Sequence, residues 1–184
     1  MKISTSIPNS LPPTALTIGF FDGVHLGHQA LLKSLRKRSD HITVFTFIHH
    51  PLQILKPPAP KPICSFHQKL ALLKDAQVDI VIAIPFTQEF ASTPFDAFLS
   101  QFPLTLLLLG EGSAFGKNRE GNEENVKAFA AKQGFIAQYL PKLILGNEPI
   151  SSRRIRASIA AGDFARASQL LGRPYSPNLE GSHV

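Results

Sequence analysis

Apolar residues follow two different periods along this chain. Unbroken apolar runs rich in β-branched and aromatic residues occur at "ALTIGF" (15–20), "HITVFTFI" (41–48), "VDIVIAIPF" (78–86) and "LTLLLLG" (104–110). They have the length and composition of strands. "FIAQYLPKLIL" (135–145) reads as a further strand running into a loop. Helical spacing fills the intervals. "LGHQALLKSLRKR" (26–38) puts Leu31, Leu32 and Leu35 on one face. "SFHQKLALLKDA" (65–76) starts at Ser65, a good N-cap, and repeats at Leu70, Leu72 and Leu73. "TPFDAFLSQF" (93–102) predicts a short helix with Pro94 in its first turn, and "EENVKAFAAKQG" (123–134) one that stops at Gly134. "SSRRIRASIAAG" (151–162) runs from a serine cap to Gly162, and "DFARASQLLG" (163–172) from Asp163 to Gly172.

Strands alternating with helices predict a three-layer α/β fold around a parallel sheet. The strands are continuously apolar, as expected where both sheet faces are covered. Two connections stand out. "HHPLQILKPPAPKP" (49–62) is too long and proline-rich for an ordinary connector and reads as a functional loop or flap. "EGSAFGKNREGN" (111–122) is a glycine-bearing loop after an apolar strand.

The chain has 184 residues, 43% hydrophobic and 17% charged, which fits one ordered domain rather than a disordered segment. No apolar run approaches the ~18 residues needed to cross a bilayer. Cys64 is the only cysteine, so no intrachain disulfide is possible. Without a secretory apolar segment at the N-terminus, the expected compartment is the reducing cytoplasm. The net charge of +6 suits an anionic partner, a nucleotide, nucleic acid or acidic lipid.

"GFFDGVHLGHQALL" (19–32) joins a strand to a helix through a glycine-bearing turn. Ligands of open α/β sheets bind at such strand ends, and a helix N-terminus favours phosphate. His25 and His28 can aim ring N–H groups at phosphate oxygens. Gly27 lets a nucleotide approach the backbone, and Asp22 caps the turn or fixes a histidine tautomer. The spacing lacks the glutamate of a His-Glu-x-x-His zinc helix. His49, His50 and Cys64 are further ligand types that no spacing links to a metal. "SSRRIR" (151–156) is a second anion-site pattern, with Ser151 and Ser152 at a helix start and Arg153, Arg154 and Arg156 behind them. In the loop 111–122, Phe115 is placed to lie against a planar ring.

These segments together resemble the FMN adenylyltransferase module of bacterial bifunctional riboflavin kinase/FMN adenylyltransferases. The resemblance rests on "GFFDGVHLGHQ", "TFIHHP", "KLALL", "VDIVIAIPF", "FGKNREG", "SSRRIR" and "LLGRPY", in family order over about residues 15–175. It implies a Rossmann-like nucleotidyltransferase fold that joins AMP from magnesium-bound ATP to FMN, giving FAD and pyrophosphate. It implies catalytic roles for His25, His28 and Arg156. Gly19, Phe20, Asp22, Gly23, Gly27, Gly110, Ser151 and Ser152 would then hold ATP. Phe47, His50, Pro51, Phe115, Gly116, Asn118 and Arg119 would frame the flavin. No residue is assigned to the metal.

The family's second motif usually reads Ser-Ser-Thr-x-x-Arg, and Arg153 replaces the threonine. The flavin segment usually reads Phe-Glu-Pro-His-Pro, and Ile48 and His49 replace glutamate and proline. The loop usually carries Asp-Phe-x-Phe-Gly, and here Gly112, Ser113 and Ala114 precede Phe115. The nucleotide side is nearly intact and the acceptor side is altered. Other readings are therefore an adenylyltransferase for another phosphate-bearing acceptor, or a catalytically weak ATP- or flavin-binding protein. A nucleic-acid binder, suggested by "KSLRKR" (33–38), lacks a zinc-finger or aromatic RNA-binding pattern. The expected organisation is one domain over 1–175, a disordered tail over 176–184 and no β-barrel riboflavin kinase.

Overall fold

The computed structural model describes residues 1–176. In chain order the elements are β1 (Lys2–Ser4), β2 (Thr14–Ile18), α1 (Leu26–Arg36), β3 (Ile42–Phe47), α2 (Leu52–Leu55), α3 (Phe66–Asp75), β4 (Ile80–Ile84), α4 (Gln88–Ala91), α5 (Phe95–Leu99), β5 (Leu104–Gly110), α6 (Glu123–Gln133), β6 (Ile136–Leu140), α7 (Ser152–Ala160) and α8 (Phe164–Leu171). The six strands form one sheet in the order β1-β4-β3-β2-β5-β6, and every neighbouring pair is parallel.

Successive strand residues point to opposite faces, which explains the unbroken apolar runs. Ala15, Val44, Val81, Ala83, Leu106 and Leu108 pack on one face with Leu31, Leu32 and Leu35 of α1 and Leu73 of α3. Leu16, Phe45, Phe47, Ile82, Leu107 and Leu109 pack on the other with Phe98 and Leu99 of α5 and Val126 of α6. These are the three expected layers. A smaller apolar cluster joins Ile63 and Ile150 to Ile155 of α7 and Leu170 and Leu171 of α8.

The chain runs from β2 through β3 to β4 on one side and resumes at β5 on the other. The carboxyl ends of β2 and β5 therefore flank the point where strand order reverses, the usual crevice for ligands.

Several boundaries differ from the expectations. β1 was not foreseen, since three half-polar residues gain their order only by pairing with β4. The proline-rich segment contains the single-turn α2, and α4, capped by the Thr87 hydroxyl, falls between the expected strand 78–86 and helix 93–102, where the pattern assigns no element. The last strand ends at Leu140, before Pro141, which lacks the N–H a strand would use. α7 ends one residue before Ala161, and Gly162 follows with φ of 73°. Apart from Ser176, the tail expected over 176–184 lies outside the described residues. Among the described residues no helix is long and apolar enough to cross a membrane.

Candidate active site

β2 ends at Ile18, and the next ten residues bury two polar side chains, Asp22 and His25. Phe21 adopts a left-handed backbone, and Asp22–Val24 form a 3₁₀ turn with φ of 73° at Gly23. A Cβ on Gly23 would lie 2.8 Å from Ile63 Cγ2, so this position needs glycine for both conformation and space. His25 then serves as the N-cap of α1, its Nδ1 accepting the backbone N–H of His28 at 3.3 Å. An accepting Nδ1 fixes the neutral tautomer, with the proton on Nε2. The two imidazoles stack at 3.7 Å with 15° between their planes.

Burial pushes the His25 pKa down to about 4; the Arg173 charge adds to this, while hydrogen bonding opposes it. Burial also holds His28 well below the ordinary imidazole range, helped by His25 and the Lys69 charge. Both rings are neutral at pH 7. His28 Nδ1 is buried and has no hydrogen-bond partner.

Gly27 also makes room for a neighbouring ring: a Cβ there would stand 3.1 Å from Cε1 and 3.2 Å from Nδ1 of His25. Asp22 is redirected. It is 4% exposed and holds neither histidine. Its Oδ1 accepts the Ile63 N–H at 2.9 Å, and its Oδ2 pairs with Arg156 Nη1 at 2.6 Å.

That ion pair brings α7 to the turn. Ser151 caps α7 by accepting the Arg154 N–H at 3.3 Å, and Ser152 donates to the Asp22 carbonyl at 3.2 Å. Both hydroxyls therefore have structural partners. Of the three arginines expected to face an anion, Arg154 pairs with Glu148 at 2.9 Å and donates to Leu145 O, while Arg153 is exposed. Only Arg156 meets the histidine turn. Gly19 leads into that turn, its N–H donating to Phe45 O at 3.1 Å. The register Leu16↔Leu107 carries Gly110 to the same sheet edge, where a Cβ would meet only Ser113 Oγ, at 3.8 Å.

Beside the turn lies a cavity of about 640 Å³. Phe47, Pro51, Phe115, Gly116, Asn118 and Arg119 line it, so the expected flavin residues come together with one exception. Phe86, Phe90 and Phe98 extend the aromatic wall, and Lys117 joins Arg119 as a second cation. The exception is His50. It lies 4.6 Å from Phe20 and lines, with Phe20 and Asp22, a neighbouring cleft of about 170 Å³. Its Nδ1 accepts the Leu52 N–H at 3.1 Å. Burial lowers its pKa, as do the Arg156 and Lys69 charges, against Asp22.

Sequence reasoning missed two cations here. Arg173 donates from Nη1 to Gly23 O at 2.7 Å, while its buried Nη2 has no partner. Lys69 sits under the turn on α3. The signal for Lys69 was available: it interrupts the apolar stripe Phe66, Leu70, Leu73 at helical spacing. Arg173 lies in the segment "LLGRPY", which does not tell its partner, Gly23 O, 150 residues away. Among the described residues no cluster of three or more His, Cys, Asp or Glu forms a metal site.

A family model for FAD synthetase matches residues 7–154. A bifunctional riboflavin kinase/FMN adenylyltransferase of Haemophilus influenzae is 36% identical over 171 residues, covering 88% of this chain and 56% of that protein. The chain thus spans just over half the length of that relative. An FAD synthetase of Listeria monocytogenes is 32% identical over 187 residues, covering 95% of this chain and 76% of that protein. A solved structure described as a macrolide-efflux protein from Streptococcus pneumoniae superposes with a TM-score of 0.81 at 27% identity, over 90% of this chain and 58% of its own. The parallel sheet between two helical layers is Rossmann-like.

Proposed function

Because the chain belongs to the FAD synthetase family, we propose that it transfers AMP from ATP to the phosphate of FMN, giving FAD and pyrophosphate. One observation carries this reading: a phosphate-suited turn (His25, His28, Arg156) and an aromatic cavity flanked by Lys117 and Arg119 share one sheet edge. The first suits a triphosphate. The second suits a planar ring carrying an anionic tail.

The chemistry needs little beyond positioning. The second pKa of a phosphate ester is about 6, so FMN presents a phosphate dianion at pH 7. One of its oxygens attacks the α-phosphorus of ATP in line. A P–O bond to FMN forms, the P–O bond to the β-phosphate breaks, and pyrophosphate leaves with the electron pair. No general base is required. Neutral His25 donates from Nε2–H to developing negative charge without a proton leaving it. Arg156, oriented by Asp22, adds a fixed cation. The free N–H groups at the start of α1 face the same charge. Ser151, whose Oγ accepts the Arg154 N–H and keeps its own O–H to donate, and the backbone N–H groups at the start of α7 are the groups there suited to an outer phosphate.

Magnesium enters as part of the substrate, on the ATP phosphates. Asp22, the carboxylate at the turn, is engaged by Arg156 and Ile63 rather than presented to a cation. A reaction drawing on ATP, in a chain with one cysteine, suits the cytoplasm.

The test is chromatographic detection of FAD after mixing protein, magnesium-ATP and FMN, with riboflavin in parallel. FAD from FMN alone is expected, because riboflavin lacks the attacking phosphate. Intact ATP binding without FAD overturns the assignment. Pyrophosphate release with another phosphate-bearing acceptor would redirect it to that acceptor.

A further inference from the structure

Lys69 is 3% exposed and forms no ion pair among the described residues. Its ammonium donates to Phe47 O at 2.8 Å, Phe20 O at 3.1 Å and Thr46 Oγ1 at 3.4 Å. It stands 4.2 Å over the Phe20 ring and 5.3 Å over that of Phe66. Thr46 closes the arrangement by donating to Phe20 O at 3.1 Å. Burying a cation against neutral acceptors is a poor route to stability, and a methionine would cover the same stripe of α3 at lower desolvation cost.

What the ammonium accomplishes is geometric. Phe20 O opens the histidine turn. Phe47 O closes β3, and the Phe47 ring lines the 640 Å³ cavity. One side chain thus clamps the two strand ends that carry the donor and acceptor sites. We propose that Lys69 is a positioning residue for adenylyl transfer, holding the nucleotide turn and the acceptor cavity at reacting distance. The inference rests on the adenylyl-transfer reading. Displacement of one reactant by about 1 Å costs on the order of 10²-fold in rate, so such a clamp acts on turnover rather than on affinity.

Charge supports the geometry. The groups facing Lys69 are Asp22 in the 3₁₀ turn, Cys64 before α3, His28 on α1 and His50 beyond β3. Burial lowers the Lys69 pKa to about 8, with Cys64 and Asp22 opposing. Above that pH the ammonium loses one of its three donors, and the clamp loosens.

The test compares wild type, Lys69→Met and Lys69→Arg. FAD formation gives kcat. Calorimetry with magnesium-ATP and fluorescence quenching of FMN give the two affinities, and thermal melts report folding. For Lys69→Met we expect kcat lower on the order of 10²-fold, both affinities within a few-fold of wild type, and recovery of kcat in Lys69→Arg. Wild-type kcat should fall above pH 8, and this limb should move upward in Lys69→Arg, whose guanidinium stays charged. A folded Lys69→Met with wild-type kcat overturns the inference. So does a loss confined to affinity. Should Lys69→Met not fold, an unchanged alkaline limb in Lys69→Arg overturns it equally. A wild type that makes no FAD overturns the functional reading and this inference together. A wild type that makes FAD beside an equally active Lys69→Met overturns the inference alone.

Discussion

Replacing Gly27 by alanine separates two reasons for that glycine. The added methyl carbon would stand 3.1 Å from Cε1 of His25, where ordinary contacts begin near 3.4 Å, so the ring must retreat by about 0.3 Å. It cannot retreat freely. The His28 ring stacks against it at 3.7 Å, and its Nδ1 caps α1 through a bond already 3.3 Å long. Alanine in place of glycine raises helix stability by up to about 1 kcal/mol. A weakened cap removes a similar amount. Stability should therefore change by no more than about 1 kcal/mol. The catalytic effect does not cancel. A displaced transition-state donor costs roughly 10- to 10²-fold in kcat. The assay is kcat for FAD formation at saturating magnesium-ATP and FMN, beside a urea titration. Wild-type kcat would refute the claim that Gly27 exists to seat His25. A raised KM for ATP with kcat preserved would restore the simpler idea, in which glycine admits the nucleotide to the backbone.

Three further outcomes are expected. Asp22→Asn keeps an acceptor for Ile63 but removes the charge facing Arg156; with Arg156 partly exposed, the loss should be about 2 kcal/mol in urea, and an unchanged midpoint would count against the pair. His25 has a folded pKa near 4 against 6.5 unfolded, so the unfolded state binds more protons in that window; stability should fall by up to about 3 kcal/mol from pH 6.5 to 4, His28 adding the same sign, and a flat profile would contradict the burial of the pair. Gly172 has φ of 69°, and a Cβ there would lie 2.4 Å from Leu26 Cδ2; Gly172→Ala should cost about 2–4 kcal/mol, partly recovered when Leu26→Ala is added, and additive losses would argue against the clash.

The layers and the location of the site were legible because their signals are local. Buried parallel strands announce themselves as apolar runs, and the motif 19–28 lies within one strand–turn–helix unit. What escaped is held by distant partners. β1 has no pattern of its own and exists by pairing with β4. The carboxylate of Asp22 could have served His25 or His28; only the folded chain shows that it belongs to Arg156. The serine cap of α7 was legible and Ser151 provides it, yet nothing in the sequence reveals that Ser152 ties the histidine turn through the Asp22 carbonyl. The residues expected to frame a flavin, His50 apart, line one cavity, and they cluster in two short segments of the sequence. Lys69 opens the segment "KLALL", but its burial follows only from its place in the apolar stripe of α3.

The ties that steady the histidine turn span the chain: 134 residues separate Asp22 from Arg156, 142 separate Gln29 from Leu171, and 150 separate Gly23 from Arg173. Synthesis runs from one end, so the turn is made well before the helices α7 and α8 that secure it. A nascent chain that has not yet released α7 and α8 carries both histidines but lacks the cations and carbonyl that fasten them. Such loop closures are also the slow, entropically costly contacts of folding. Fastening of the histidine turn therefore waits for α7 and α8. A fragment ending before Ser151 keeps all six strands and loses Arg156, Leu171 and Arg173, the partners that hold the histidine turn.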